Sequence, residues 1–135
     1  MLCDLNGFKS VNDGFGHLVG NRLLQEIARH LRNSCREYDQ VGRLGGDEFV
    51  FVLPELSREA VEDLKPRLKL AVEEAGRTVC KSNAVSMSIG CAFYPQDGSS
   101  AEELLAEADR RMYETKESHY KRLSEAAGLE SVDSR

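Results

Sequence analysis

Apolar residues recur at helical spacing in two long stretches of the chain, residues 17–32 and 57–75. Positions three and four apart lie on one face of an α-helix, so each stretch is predicted to be an amphipathic helix packed on a core. Pro66 lies inside the second stretch and predicts a kink or a late start, and Gly76 predicts its end. The apolar stripes are Leu23, Leu24, Ile27, Ala28 and Leu31, and then Val61, Leu64, Leu68, Ala71, Val72 and Ala75.

A third helix is predicted from its start signal. Ser100 followed by Glu103 forms a capping box, in which each residue satisfies a free amide of the first turn. The predicted buried stripe of this helix is Leu104, Leu105, Ala108 and Met112. From residue 117 the periodicity is lost among charged residues and serines, so residues 123–135 are predicted to be a tail or linker.

Three stretches have the pattern of β-strands: residues 1–5, 40–53 and 84–93. In the second, Gly45-Gly46 separates two arms and supplies the positive φ angles that a two-residue hairpin turn requires. The apolar run FVFVL after the turn predicts a central strand buried on both faces. A tight hairpin among interleaved helices favours an α/β (α+β) sandwich, with helices packed on a mixed or antiparallel sheet.

Composition narrows the functional classes. The chain has 135 residues and a net charge of −5, which predicts one domain and argues against a nucleic-acid-coating surface. No apolar run approaches the ~20 residues that cross a bilayer, so no direct membrane insertion is expected. The four cysteines form no CxxC pair, which argues against a zinc site and favours reduced thiols in the cytoplasm.

The segment DLNGFKSVNDGFGH, residues 4–17, is rich in oxygen ligands but does not fit a calcium-binding loop. In an EF-hand register that starts at Asp4, Lys9 replaces the invariant glycine and Phe15 replaces the bidentate glutamate. An Asp/Asn/Gly-rich turn remains an alternative interpretation of this segment.

Two acids at strand ends predict a metal site. Asp4 ends the first predicted strand and Asp47 begins another, so the two carboxylates converge if these strands are neighbours. Mg²⁺ takes one or two carboxylates and completes its shell with water and phosphate oxygens. Glu48 follows directly and is placed to hold a second metal ion or to assist a proton transfer. The alternative is that these acids are solvated residues beside a turn.

Four ordered motifs carry a resemblance to a known family. RLGGDEF at residues 43–49 is the signature of the GGDEF domain family, the diguanylate cyclases. DLNGFKSVNDGFGHLVGNRLLQEIARHL resembles the family's DxDxFKxxND…GHxxGDxLLxxIA segment. AVSMSIGCAFYPQDG is similar to its SIGxAxxPxDG segment, and LLAEADRRMYETK to its LLxxADxAMYxAK helix.

The resemblance implies a fold and a reaction. The expected fold is nucleotidyl-cyclase or palm-like, with a central, largely antiparallel sheet flanked by helices over residues 1–122. The family's first helix and its LTxLxNR loop precede the strand of Asp4, so this chain is expected to lack that part of the domain. Two such domains, each holding one GTP, face each other as a homodimer and form cyclic di-GMP with release of two pyrophosphates.

The resemblance also implies roles for individual residues. Mg²⁺, or Mn²⁺, is expected on the metal ligands Asp4, Asp47, the Leu5 carbonyl and Glu48. The expected catalytic residues are Asp47, Glu48 and Lys9, with Glu48 activating the 3′-hydroxyl or holding a second ion. The expected GTP contacts are Gly7, Phe8, Asn12, Asn21, Gly45, Gly46 and Lys116.

An RxxD motif just before the signature strand implies regulation. In the family, the residues that match Arg36 and Asp39 form an inhibitory site for the product, cyclic di-GMP. Arginine bonds the N7/O6 edge of guanine, and aspartate accepts from the opposite edge. The alternative is an ordinary surface ion pair near a helix end.

Two departures from the family pattern keep a second function open. Asn21 replaces a guanine-contacting aspartate, and Tyr120 stands where the family often has an arginine. The main alternative is therefore a catalytically silent GGDEF domain that binds GTP or cyclic di-GMP as a regulatory module; a purely structural dimerisation module is a third. Family members usually carry sensor or phosphodiesterase domains, so this segment is also expected as the cytosolic part of a larger, membrane-bound sensor.

Overall fold

A computed structural model describes residues 1–128. Its strands are β1 (Leu2–Asn6), β2 (Gln40–Arg43), β3 (Glu48–Val52) and β4 (Ser86–Gly90). Its helices are α1 (Phe8–Phe15), α2 (His17–Asn33), α3 (Arg58–Cys80) and α4 (Ala101–Ala126). The strands form one sheet in the order β2-β3-β1-β4, and every neighbouring pair is antiparallel. The predicted antiparallel α/β architecture is confirmed.

The two faces of the sheet are covered by different helices. Cys3 and Leu5 of β1 lie on one face in the main core, together with Phe49 and the apolar stripes of α2 and α3. Leu2 points to the opposite face and packs against Ala108 and Met112 of α4. Because side chains alternate along a strand, Asp4 shares the α4 face with Leu2. Asp4, a predicted metal ligand, therefore lies under α4, away from the main core.

Helix α4 is held close to the sheet at Gly90. A Cβ atom added at Gly90 would lie 2.0 Å from the Ala108 carbonyl oxygen and 2.3 Å from the Met112 amide nitrogen. Helix backbone therefore occupies the space that a side chain would need. Glycine at this position in β4 fixes the distance between α4 and the sheet.

The two long amphipathic helices agree with their predicted stripes except at one residue. All the predicted apolar residues of α2 and α3 are buried, apart from Ala28, which is exposed at the margin of its stripe. Pro66 lies inside α3 on its exposed side, and the helix neither starts late nor ends at Gly76. Within residues 1–128, no helix combines the length and the apolar character needed to cross a membrane.

Helix α4 is longer than its sequence pattern predicts. The Ser100 hydroxyl accepts a hydrogen bond from the Glu103 amide at 3.2 Å, which confirms the predicted start. Leu105 is exposed, so the predicted stripe was wrong there. The helix also continues to Ala126, beyond residue 117, where the periodicity is lost, and into the predicted tail or linker. Its last turns carry few buried residues, so no apolar periodicity marks them; the rest of the predicted tail, residues 129–135, lies outside the described range.

The hairpin between β2 and β3 differs from the predicted two-residue turn. Four residues, 44–47, connect the strands, and the Leu44 amide donates to the Glu48 carbonyl at 3.0 Å. Neither Gly45 nor Gly46 has a positive φ angle. A longer loop does not impose the mirror-image turn that requires such angles. Strand β3 is also buried mainly on one face, since Val52 is 58% exposed.

Helix α1 occupies the segment for which a turn was the alternative prediction. Gly7, with φ 87°, precedes the helix, and Gly16, with φ 90°, ends it. A Cβ atom at Gly7 would also lie 2.5 Å from the Ala84 carbonyl oxygen, so both conformation and space require glycine. The helix buries Phe8 and Val11, a pattern too short to be recognised by periodicity alone.

Asp97 anchors the segment between β4 and α4. Its carboxylate accepts from the Phe93 amide at 2.8 Å and from two nitrogens of Arg111 at 2.8 and 3.0 Å. Arg111 also donates to the Cys91 carbonyl at 2.8 Å. The hydrogen bonds from Arg111, and then the one from Phe93, lower the pKa of Asp97 from 3.8 to about 2.

Asp97→Asn is expected to change how stability depends on acid. A carboxyl whose pKa is lower in the folded state stabilises the protein above the unfolded pKa, and this contribution is lost as pH falls through the folded pKa. The free energy of unfolding should therefore fall less steeply in the variant than in the unmodified chain between about pH 4 and pH 2. Urea unfolding followed by circular dichroism measures this; an identical slope would contradict the assignment, and Asp63→Asn, on the exposed side of α3, is the control.

Candidate functional site

The first and third strands bring the predicted acids together on the α4 face of the sheet. Asp4 lies in the middle of β1, not at its end as predicted, and pairs in register with Glu48 of β3. The Leu5 amide donates to the Asp47 carbonyl at 3.0 Å, which places Asp47 beside β1. Asp4 on β1 thus lies beside Glu48 on β3 and beside Asp47, the last residue of the loop that precedes β3.

Burial and neighbouring negative charges raise the pKa values of two of these acids, Asp47 and Glu48. Partial burial, and then the negative charge of Asp4, raise the pKa of the Asp47 carboxyl. Burial also raises the pKa of Glu48, and the charges of Asp4, Asp47 and Asp109 on α4 add to that effect. A raised pKa means that the charged form of the carboxyl is less favourable here than in water, and a bound cation would stabilise that charged form.

Lys116 of α4 supplies one positive charge to this cluster. Its ammonium donates to Asp4 Oδ2. Burial alone would lower the pKa of Lys116, but the hydrogen bond and the charge of Asp4 outweigh burial and raise it. The resemblance implies that Lys116 contacts a GTP phosphate. In this structure Lys116 is instead paired with Asp4, a predicted metal ligand.

The donor set fits a divalent cation that keeps several waters. Asp4 Oδ1 is buried and has no hydrogen-bond partner within residues 1–128. In the same described range, no group of three His, Cys, Asp or Glu side chains has a metal-binding arrangement. The carboxylates of Asp4 and Asp47, with the unused buried oxygen of Asp4, match the needs of Mg²⁺, which takes its remaining ligands from water and phosphates. The Leu5 carbonyl and Glu48 stay predicted ligands.

A buried amide beside Asp4 was not anticipated from the sequence. Asn6 is 4% exposed, and its amide nitrogen donates to the hydroxyls of Ser86 at 3.2 Å and Ser88 at 3.0 Å on β4. Ser88 is the register partner of Asp4. The available signal was the two-residue spacing of Asp4 and Asn6, which puts both on one face of a strand.

A first cavity, of about 620 Å³, lies between α2 and β2 and contains one predicted guanine contact. Asn21 lines it, with Arg43, Gly42 and the buried Phe49. Asn12 lies close to this region, because a Cβ atom at Gly20 would be 1.8 Å from Asn12 Oδ1. The glycine before Asn21 thus allows α1 to bring Asn12 against α2.

A second cavity, of about 690 Å³, lies between the start of α1, the end of α3 and the outer part of α4. Two predicted phosphate contacts, Gly7 and Lys9, line it, as does Tyr120. Phe8 is buried, so only its backbone amide is available for the predicted phosphate contact.

The glycines of the signature lie in an exposed loop. A Cβ atom at Gly46 would meet no other atom within 4 Å, and one at Gly45 would reach only Glu48 Oε2 at 4.0 Å. The protein's own packing therefore does not require glycine here. The space around these two glycines, beside Glu48, is open, so their predicted contact with a nucleotide stays a prediction.

Arg36 and Asp39 are bound to each other in the loop before β2. Asp39, whose side chain is 2% exposed, accepts from the Arg36 guanidinium at 2.6 Å and from the Arg36 amide at 2.8 Å. The hydrogen bond from Arg36 lowers the pKa of Asp39. The guanidinium also donates to the Pro54 carbonyl at 2.8 Å and lies 4.4 Å from the ring centre of Tyr38. Asp39 directly precedes β2, so this pair lies at the opposite end of that strand from the loop that contains Asp47.

Comparison with known proteins gives consistent matches. The family profile described as "Diguanylate cyclase, GGDEF domain" matches residues 1–122. The bifunctional diguanylate cyclase/cyclic di-GMP phosphodiesterase MucR of Pseudomonas aeruginosa is 38% identical over 117 residues, which cover 87% of this chain and 17% of MucR. The cyclic di-GMP phosphodiesterase PdeR of Escherichia coli is 37% identical over 115 residues, which cover 84% of this chain and 17% of PdeR.

A solved structure agrees with the fold as well as with the sequence. A sensory box/GGDEF family protein from Caulobacter crescentus superimposes with a TM-score of 0.73 at 37% identity. The match covers 87% of this chain and 76% of that one. The similarity therefore extends over most of this chain, whereas the chain spans less than a fifth of each of the two curated relatives above.

Proposed function

Because this chain belongs to the diguanylate cyclase GGDEF domain family, we propose that it condenses two GTP molecules into cyclic di-GMP with release of two pyrophosphates. The observation that carries the proposal is that Asp4 of β1 lies beside Glu48 of β3 and Asp47 of the preceding loop, with one Asp4 oxygen buried and unpartnered within residues 1–128. Phosphoryl transfer requires positioning and charge neutralisation above all, and acids that hold Mg²⁺ next to lysines provide both.

The proposed roles combine the family pattern with the positions of these residues in the fold. Asp4 and Asp47 would hold Mg²⁺ or Mn²⁺, which neutralises phosphate charge when bound. Glu48, whose pKa is raised by burial and by its acidic neighbours, is suited to accept a proton from the 3′-hydroxyl. Asn12 and Asn21, near the first cavity, would contact guanine. Lys9, Lys116 and the Gly7 and Phe8 amides would contact the phosphates.

The reaction requires two copies of the domain. Each copy is proposed to hold one GTP, and the 3′-hydroxyl of each GTP attacks the α-phosphate of the other across a two-fold axis. The acids lie at the sheet face under α4, with the exposed loop 44–47 beside them. A homodimer that brings these loops face to face would place the two nucleotides in reach of each other.

The test is direct. The chain, fused to a dimerising leucine zipper so that two copies meet, is incubated with GTP and Mg²⁺, and the products are separated by chromatography. Cyclic di-GMP and pyrophosphate are expected, and their formation should stop when EDTA removes the metal. Tight binding of GTP without any product would refute the cyclase proposal.

A second candidate function is a catalytically silent domain that binds GTP or cyclic di-GMP and regulates a neighbouring domain. Asn21 and Tyr120 favour it, because each lacks a charge that the family pattern has at the nucleotide. PdeR, which is similar over most of this chain, is named for phosphodiesterase activity alone. Bound nucleotide without turnover in the assay above would select this function. In either case, a sensor or phosphodiesterase domain in one polypeptide, in the bacterial cytoplasm, would connect this domain to a signal.

Feedback inhibition is expected to depend on Arg36. Cyclic di-GMP bound at the RxxD motif would take the Arg36 guanidinium from Asp39, so Arg36→Ala should remove the contact to guanine. The concentration of cyclic di-GMP that halves the initial rate should rise by at least about tenfold in this variant. Arg29→Ala, which removes an equal charge from α2, is the control, and inhibition that is unchanged in Arg36→Ala would exclude this motif as the product site.

A further inference from the structure

The second cavity contains a positive charge to which no role has been given. Its wall includes Arg77 from the last turn of α3, in addition to Lys9 of α1 and Tyr120 of α4. Two cationic side chains from different elements thus face one space of about 690 Å³. Such convergence in a concave site is typical of anion binding.

This cavity adjoins the acids. Asn6, which lines it, is two residues from Asp4 on the same face of β1. Tyr120, which also lines it, is one helical turn beyond Lys116 on the same side of α4. A nucleotide whose α-phosphate lies at the metal carboxylates would therefore extend its outer phosphates toward this space.

Arg77 is available for a ligand. Its only side-chain hydrogen bond within residues 1–128 goes to the neutral Asn83 Oδ1, at 3.4 Å. Glu73 lines the same cavity, yet no ion pair joins it to Arg77 or Lys9 in the described residues. Lys116, in contrast, is already paired with Asp4. Arg77 therefore carries a charge that the folded chain does not neutralise by direct contact.

We propose that Arg77 binds the terminal phosphates of GTP in this cavity, together with Lys9. The inference rests on the proposed function and names a further substrate-binding residue for it. A guanidinium presents paired donors that match the oxygens of a phosphate, and charge-assisted hydrogen bonds of this kind are among the strongest in proteins. Tyr120, at the same wall, contributes a phenol and no charge, so Arg77 is the cation that this side of the cavity supplies.

The test compares nucleotides that do and do not have outer phosphates. The probes are 3′-deoxy-GTP, which lacks the hydroxyl that the reaction consumes, and GMP, each titrated calorimetrically with Mg²⁺ present. Arg77→Gln should weaken 3′-deoxy-GTP binding by about tenfold and leave GMP binding unchanged. Arg29→Gln on α2 removes the same charge elsewhere and should change neither affinity.

A second variant tests placement as well as charge. Adding Tyr120→Arg to Arg77→Gln restores a guanidinium to the same cavity, so affinity for 3′-deoxy-GTP should recover while GMP stays as before. Unchanged 3′-deoxy-GTP binding in Arg77→Gln, or equal losses for both nucleotides, would overturn the inference while the cyclase proposal stood. If the unmodified chain bound neither nucleotide, the proposed function would fall, and this inference with it.

Discussion

Glu48→Gln is expected to reduce cyclic di-GMP formation by at least about a hundredfold, because the amide has no basic oxygen with which to accept the proton of the 3′-hydroxyl. Glutamine has nearly the same shape, so β3 and its pairing with β1 should persist. Affinity for 3′-deoxy-GTP should change much less than turnover does. Chromatography of the products, together with calorimetry of nucleotide binding, measures the two effects separately.

The same variant has an expected effect on stability that runs opposite to its effect on turnover. The pKa of Glu48 is raised in the folded state, so its charged form destabilises the fold above that pKa. Removing the charge should leave the free energy of unfolding at neutral pH equal to, or higher than, that of the unmodified chain. Full activity in Glu48→Gln, or activity lost through unfolding, would refute the catalytic role. Glu74→Gln, on the exposed surface of α3, is the control.

Asp4→Asn is expected to weaken metal binding and turnover together. The substitution keeps the size of the side chain but removes the negative charge that Asp47 and Lys116 both face. Mn²⁺ titrated in the presence of 3′-deoxy-GTP, and followed by the loss of its free electron paramagnetic resonance signal, should bind at least about tenfold more weakly. Product formation should fall below detection at Mg²⁺ concentrations that saturate the unmodified chain.

The control for this result is a matched loss of charge outside the site. Asp63→Asn removes one carboxylate from the exposed side of α3 and should leave Mn²⁺ binding unchanged. If Asp4→Asn bound Mn²⁺ as tightly as the unmodified chain did, Asp4 would not be a metal ligand. The unpartnered Asp4 oxygen would then need another explanation.

The sequence predicted the elements that periodicity and capping mark. The stripes of α2 and α3 are long enough to distinguish a helix from a strand, and Ser100 with Glu103 marks the start of α4. The pairing of β1 with β3 was not predicted from the pattern; it was a condition of the metal-site prediction, and the structure meets that condition.

The remaining differences arise where tertiary contacts outweigh local pattern. The eight residues of α1 bury only Phe8 and Val11, too few to establish a period. The outer part of α4 is stabilised as a continuation of a packed helix, without an apolar stripe of its own. The role of Asn6 depends on hydroxyls contributed by β4, which lies some 80 residues further along the chain.

The candidate site residues likewise differ in whether the sequence alone could predict their positions. The convergence of the acids was predicted on the condition that their strands are neighbours, and the structure pairs β1 with β3. The pairing of Lys116 with Asp4 links positions 112 residues apart, and no local pattern encodes it. The position of Arg77 at the second cavity likewise depends on how the end of α3 lies against α1 and α4.

The close contact at Gly90 fixes the position of helix α4 on the sheet. Lys116 lies one turn beyond Met112, whose backbone rests on that glycine, and Tyr120 lies a further turn away. A side chain introduced at Gly90 would push α4 away from the sheet and would therefore also move Lys116 away from Asp4, its hydrogen-bond partner. Gly90 thus sets the position of the positive charge that lies against the candidate metal-binding acids.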